Sequence, residues 1–439
     1  MRGRALLFSM LLSAAAIAQA PPSATGVVPA TPMATPPPVS GLNYTVQLGS
    51  EVRHNYLRGG VGFTTSYIDN YLTDSTSPPE SETTISVLPS IAFDTATARQ
   101  HVLVTYSPGF TFYQPSSQLN EVDNVVAASY AFHLSEHTLI SAVERFQDSS
   151  SPFSPSDIGG GGVSGTPVSD TPGAIPPFAK VLTNTVSAEI AMQTGLNEMI
   201  GASGSWTELH YPNSAQTLGL SDSSSRGGTA FYNHRISNAQ YVGVTYQFMD
   251  LLTAFDGGES ATRTSTIMGY LTIYAKDRFS LSVSGGPQYY QVIEAPLPSL
   301  STWGPAVSAS TGWQGQRFSF AASYSHSVTG AGGLIGGYHT DIANATMRWQ
   351  LARTWTAGAS GGYAINKSVS STLTTEAGNG HSVSESATLQ HPIRGQVSLA
   401  FNYDRVHESY GQVAALAANP NADRVSVSLT WNFLRPLGR

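Results

Sequence analysis

Near the end of the chain, apolar residues take every second position: Val425, Val427, Leu429, Trp431 and Phe433, with Ser426, Ser428, Thr430 and Asn432 between them. Successive side chains of a strand point to opposite faces. This run therefore predicts a strand with one greasy face and one face of small polar groups. The period recurs along most of the sequence. Val102, Val104, Tyr106, Phe110 and Phe112 share a face, as do Phe279, Leu281 and Val283, and Val397, Leu399, Phe401 and Tyr403. Opposite them fall Ser280, Ser282 and Ser284, or Gln396, Ser398, Ala400 and Asn402.

Followed from Val61 onward, the period predicts strands near 61–72, 83–95, 101–113, 120–133, 137–147, 181–193, 196–210, 225–236, 239–250, 261–274, 278–291, 302–313, 316–328, 338–351, 353–366, 381–391, 394–407 and 423–433. That is about eighteen strands, within a range of 16 to 20. Short links such as Thr194-Gly195, Ser237-Asn238, Gln314-Gly315 and Pro392-Ile393 alternate with long ones at 148–180, 211–224, 251–260, 292–301, 367–380 and 408–422. Membrane barrels have short turns at one rim and longer loops at the other. The predicted fold is all-β, a transmembrane antiparallel up-and-down β-barrel, with the apolar faces toward lipid and the small polar faces toward the lumen. Even parity leaves both chain ends at one rim. Pro89, Pro108, Pro287 and Pro305 fall inside expected strands, where each removes a ladder donor. Bulges or misplaced strand boundaries are the expected explanations.

The ends set the compartment. Arg2 and Arg4, the apolar run Ala5 to Ile17, and the small-x-small pattern Ala16-Ile17-Ala18 predict a secretory signal over 1–18. A Pro-rich lead-in over 19–58, a barrel over 59–433 and a tail over 434–439 follow; the role of 43–58 stays open. There is no cysteine, which excludes a lipid-modified cysteine, disulfides and thiolate metal sites. Charged residues are 11% and the net charge is −7, so no basic face invites nucleic acid. Mean hydropathy is −0.08, and no segment is apolar enough for a helical span. A barrel accounts for that value, because half of each strand faces inward. A secreted soluble β-protein fits less well, since its strands are usually shorter.

Together the alternation, the loop parity and the aromatic-ended last strand Trp431-Asn-Phe433 resemble the bacterial outer-membrane β-barrels, and among them the porin-like proteins, over roughly residues 60 to 433. The resemblance implies an integral outer-membrane location with both termini periplasmic. It also implies contact with outer-membrane lipid and assembly by the barrel-assembly machinery. Porins of this kind are often trimers, so a homo-oligomer is compatible, although no interface is readable. The family usually ends at its terminal aromatic residue, whereas here Leu434-Arg-Pro-Leu-Gly-Arg439 follows. The third long link, 148–180, resembles in position the loop that porins fold into the lumen. Asp148, Asp157 and Asp170 are its constriction candidates, although the family's acidic loop motif is absent. A loop lying over the mouth is the alternative.

The candidate pore lining is Glu189, Thr264, Thr266, Tyr270, Tyr274, Tyr290, Arg317 and Arg348, among neutral hydroxyls such as Thr272, Ser308, Ser310, Ser319, Ser323 and Ser325. No single-sign ring of charge is visible. Tyrosines beside hydroxyls suit sugar rings; packing against an inward segment is the other reading. Trp303, Trp313, Trp431 and Phe433 are the candidate aromatic girdle. Trp303 and Trp313 are ten residues apart on one face, which at about 3.3 Å per residue and about 40° tilt spans roughly 25 Å, the height of the apolar band. The local set His381-Ser-Val-Ser-Glu-Ser386 puts His381 and Glu385 opposite Ser382, Ser384 and Ser386, a poor arrangement for a nucleophile and its base. The eleven histidines show no metal-ligand spacing. No catalytic residue, metal or cofactor is expected. The expected function is a porin-like channel passing small polar solutes, with sugars as candidates, through a neutral hydroxyl-lined lumen. A polysaccharide-export barrel and a structural or surface-interaction barrel with a blocked lumen are the alternatives.

Overall fold

A computed structural model describes residues 55–70, 81–149, 153, 180–212, 220–255, 258–275, 278–294, 298–329, 334–369, 379–410 and 421–437. Its strands are β1 (Tyr56–Ile68), β2 (Glu82–Ala96), β3 (Gln100–Gln114), β4 (Glu121–Ser135), β5 (Thr138–Ser149), β6 (Val181–Gln193), β7 (Glu198–His210), β8 (Ser223–Ser237) and β9 (Gln240–Phe255). They continue as β10 (Gly258–Ala275), β11 (Phe279–Glu294), β12 (Leu300–Gln314), β13 (Phe318–Thr329), β14 (Tyr338–Gln350), β15 (Thr356–Ser368), β16 (Gly380–Arg394), β17 (Val397–Tyr410) and β18 (Asn421–Pro436). Each strand pairs antiparallel with its neighbours in sequence, and β1 pairs with β18 from Tyr56↔Pro436 to Ile68↔Arg424, so the sheet closes. The first and last strands therefore begin and end at the same rim, the one with the short links.

Closure leaves no sheet edge, which satisfies the backbone without water. The outer face then has to be apolar. Phe63, Ile91, Phe112, Ile267, Val283 and Leu429 all point out and are exposed, while Ser66, Thr84, Thr111, Ser282 and Ser426 on the same strands point in and are buried. Inner hydroxyls bond one another across strands: Thr64 to Ser428 at 2.9 Å, Thr272 to Ser282 at 3.0 Å, Ser284 to Ser308 at 2.6 Å and Ser360 to Ser386 at 2.6 Å.

The expected strands all form, with differences at their ends. β1 starts at Tyr56 instead of 61, inside the expected lead-in. At Gly59 and Gly60 the missing side chains make room for Phe433 and Asn432 of β18. β18 runs to Pro436, so part of the expected tail is strand. The expected long link 251–260 shrinks to residues 256–257, because β9 and β10 keep pairing to Phe255↔Gly258. They are 16 and 18 residues long, beyond the about 9–11 that a bilayer crossing needs.

The four prolines lie in two cross-strand pairs, with no register shift. Thr97 donates its N–H to the Gln100 carbonyl across the β2–β3 turn. Backbone direction alternates along a strand, so Pro89 addresses β3 and Pro108 addresses β2. They meet with no donor on either side, and the ladder is interrupted between Val87↔Phe110 and Ile91↔Tyr106. Pro287 stands opposite Pro305. Gln314 donates to the carbonyl of Arg278, the residue before β11, so the odd-numbered residues of β12, Pro305 included, address β13. The β12–β13 ladder ends at Val307↔His326, one step short of where Pro305 would meet Val328, whereas β13 and β14 stay paired to Thr329↔Tyr338.

Candidate functional site: the barrel interior

Glu189, Thr264, Thr266, Tyr270, Tyr274, Tyr290 and Arg348 sit on inward positions, each opposite in parity to an exposed apolar neighbour such as Ile190, Ile267, Leu271 or Trp349. Arg317 does not; it lies exposed in the turn between β12 and β13, because that turn falls two residues further along than the alternation suggests. Inward does not mean open. Thr264 is 4% exposed, Thr272 0%, and Thr266, Tyr270 and Tyr290 are equally buried. These side chains line no water-filled bore.

The long-loop half of β10 and β11 is covered by the upper half of β13 and β14. Beyond His326, β13 leaves β12 and lies over the inner wall. The Gln288 carboxamide takes the place of the lost strand neighbour: its Oε1 accepts the Val328 N–H at 2.7 Å and its Nε2 donates to the Val328 carbonyl at 3.0 Å. Gly337 rests on Thr262 and Val292, at 3.0 and 3.1 Å from where its Cβ would be. His339 of β14 meets the Tyr290 ring edge-on at 5.6 Å. Tyr270 lies along the wall over Gly243, where a side chain would collide with its ring, and its hydroxyl points to the Tyr232 carbonyl at 3.5 Å. Tyr274 packs edge-on against Tyr241 at 5.8 Å, in a belt with Ala191, Met199 and Phe231. Tyr270 and Tyr290 are thus packed against protein and buried, and Tyr274 is half-buried.

The opposite arc differs. Thr183, Thr185 and Ser187 of β6 and Ser203 and Thr207 of β7 are inward and only half-buried. Two contacts narrow the space they face. Phe153, beyond the end of β5, is buried against Ile68, Val406 and Ala422 of β1, β17 and β18. Arg424 holds it there, donating to its carbonyl at 2.6 Å and covering its ring at 4.9 Å, while also bonding Asp404 at 2.7 Å. At the long-loop rim, Val181, Leu209, Tyr211 and Leu220 meet Leu334, Tyr338 and Tyr410 from the far side of the ring. Asn366 donates to the Tyr410 hydroxyl at 2.8 Å and accepts from Thr340 at 2.9 Å. Burial, and then the Glu408 and Asp222 carboxylates, push the Tyr211 phenol above its ordinary value, so it stays neutral at the mouth.

Of the loop candidates, Asp148 is the next-to-last residue of β5, on the outward side, and pairs with Lys180 at 3.0 Å. Asp157 and Asp170 lie outside the described residues. The interior carries more charge than the sequence suggested. Arg58 bonds Asp94 at 2.8 Å, Arg424 bonds Asp404, and Glu82, Asp123 and Glu408 are buried on inward positions. Alternation already placed them inward, since Ile91 and Phe93 outward means Asp94 inward. Phe153 had a weaker signal, as one of two aromatics in a Ser, Pro and Gly run.

Trp303, Trp313 and Trp431 are exposed on the outer face, and Phe433 lies partly exposed on it over Gly59. Trp303 pairs with Tyr289 at 5.3 Å toward the long-loop rim, and Trp313 with Phe318 at 5.5 Å toward the other. His381 and Glu385 point out and Ser382, Ser384 and Ser386 in, so they do not converge. Among the described residues, no three His, Asp or Glu side chains are grouped to hold a metal ion.

No known protein family matches the sequence, and no curated protein matches it. Several solved barrels resemble the structure weakly. Acinetobacter baumannii OccAB4 is 8% identical with a TM-score of 0.42, covering 88% of this chain and 100% of its own. Pseudomonas aeruginosa OccK2 (OpdF), solved with glucuronate, is 9% identical with a TM-score of 0.43, covering 86% and 98%. Pseudomonas aeruginosa OpdK, solved with vanillate, is 9% identical with a TM-score of 0.41, covering 86% and 98%. Similarity at this level carries no solute over to this chain.

Proposed function

We propose that this chain is an outer-membrane channel for small polar solutes. One observation carries the reading: the barrel is closed, apolar outside and hydroxyl-bearing inside, and among the described residues its interior is narrowed by Phe153 and holds no separate folded domain. A solute would pass along the half-exposed Ser and Thr rows of β6 and β7, which suit hydroxylated molecules such as sugars. Residues 1–18 act as the export signal, and both ends lie in the periplasm, where the barrel-assembly machinery takes up the chain.

The apolar cluster across the long-loop rim favours a second reading, a structural barrel with a blocked mouth whose outer loops bind other molecules. Single-channel recording in a planar bilayer separates the two. The channel reading expects a small steady conductance that rises when residues 150–178 are deleted. No current from either folded, heat-modifiable form leaves the structural barrel.

A further inference from the structure

We propose that Pro305 and Gln288 form a latch that sets the bore of this barrel by holding part of its own wall inside the lumen. The proposal rests on the channel reading only for its consequence for transport; the latch itself is a statement about strand position. A wall strand stays in the wall because its neighbour supplies donors and acceptors on both sides. Pro305 withholds the donor that Val328 would meet, and the β12–β13 ladder stops there. Loss of one donor does not by itself move a strand inward. Gln288 supplies the destination. Its carboxamide has the geometry of a peptide group, one donor beside one acceptor, and it engages both backbone groups of Val328 from a buried inward position.

The connection between β13 and β14 is shaped to the same seat. Gly336 turns the backbone with φ of 96°, and Gly337 then lies flat on Thr262 and Val292, where a larger residue would press on both. The Ser260 and Thr262 hydroxyls are buried there with no hydrogen-bond partner among the described residues. They would regain water if the covering strands moved out, so the seat is poised and not deeply stable. Gln288 is therefore a positioning residue for the bore. It touches no solute, and it decides how much of the inner wall any solute can reach.

The absence of cysteine makes a direct test simple. Thr264→Cys reports whether the inner wall is covered. In the full-length exported protein, purified and folded, a charged methanethiosulfonate should react slowly with this thiol. Adding Gln288→Leu should raise the labelling rate about tenfold or more, since a covered thiol reacts through the open state. Pro305→Val, which restores a donor toward Val328, should raise it as well by letting β13 rejoin β12. Single-channel conductance should rise in both variants. Fast labelling with no current in any form supports the latch and sinks the channel reading. A thiol that reacts equally fast with Gln288 and Pro305 intact overturns the latch. So does one that stays protected in both folded variants, whatever the conductance.

Discussion

The arcs β5–β7 and β10–β12 are built from the same materials and do different things. Both present rows of Ser and Thr inward and apolar residues outward. On β6 and β7 the inward rows are half-buried, whereas Thr262, Thr264, Thr266 and Thr272 on β10 and Ser280, Ser282 and Ser284 on β11 are buried. The alternation of small polar and apolar residues, shared by both arcs, does not explain this. Toward the long-loop rim, at Thr262, Thr264 and Thr266, the difference comes from the β12–β13 edge, where Pro305 ends one ladder and Gln288 begins another contact. A strand's own pattern tells which way a side chain points; a neighbour's backbone decides what it meets.

The strongest way to break this contrast is to add a methyl group on each side of it. A Cβ at Gly286, in the covered arc, would run into the Ile267 carbonyl. Gly286→Ala should cost on the order of 3 kcal/mol and lower the yield of heat-modifiable barrel. At Gly204, in the open arc, the nearest atom to a new Cβ is the Gly227 carbonyl oxygen at 3.8 Å. Gly204→Ala should change the urea midpoint by no more than about 0.5 kcal/mol equivalent. Gly204 is on the outward face and serves as the unhindered reference, so equal losses at both positions would show that Gly286 is not crowded.

Accessibility sharpens the comparison next. Ser203→Cys should react with a charged thiol reagent about a hundredfold faster than Thr266→Cys, since one faces the open interior and the other lies under β13. Rates within a few-fold of each other would remove the distinction. A smaller effect is expected at the long-loop rim. Tyr410→Phe leaves the fully buried Asn366 amide without its acceptor, which should cost about 1–2 kcal/mol, read as a lower midpoint of heat modifiability. An unchanged midpoint would mean that water replaces the hydroxyl. The smallest effect belongs to Phe153→Ala. It should raise single-channel conductance less than about twofold, because one anchor is lost while the rest of its segment remains. No rise at all would place the narrowing elsewhere.

The outer half of this molecule was readable in the sequence. Strand number, the parity of the faces, and Trp303 and Trp313 ten residues apart all follow from a period of two, which is local. Link lengths were less readable, because β9 and β10 pair beyond the membrane, and only the partner strand tells pairing from loop. The interior was readable in direction and not in occupancy. Glu189, Tyr270 and Tyr290 point where alternation puts them. That Tyr290 meets His339, or that Phe153 crosses to Arg424, depends on contacts between residues far apart in the chain. Arg317 failed for a local reason, since a turn two residues further along moves a side chain from the wall to the rim. The prolines looked like defects when taken singly, and they make sense only as pairs across the sheet.

The seam between β1 and β18 has a kinetic side. Thr64 and Ser428 touch across 364 positions of chain. Every other neighbouring pair can zip as a hairpin, but this one must wait until sixteen intervening strands are in place. Until it forms, both end strands offer unpaired backbone to the lipid, so partly assembled rings gain little from the strands they already hold. Refolding into vesicles should therefore be slow and all-or-none, with the rate set by the meeting of the two ends of the chain.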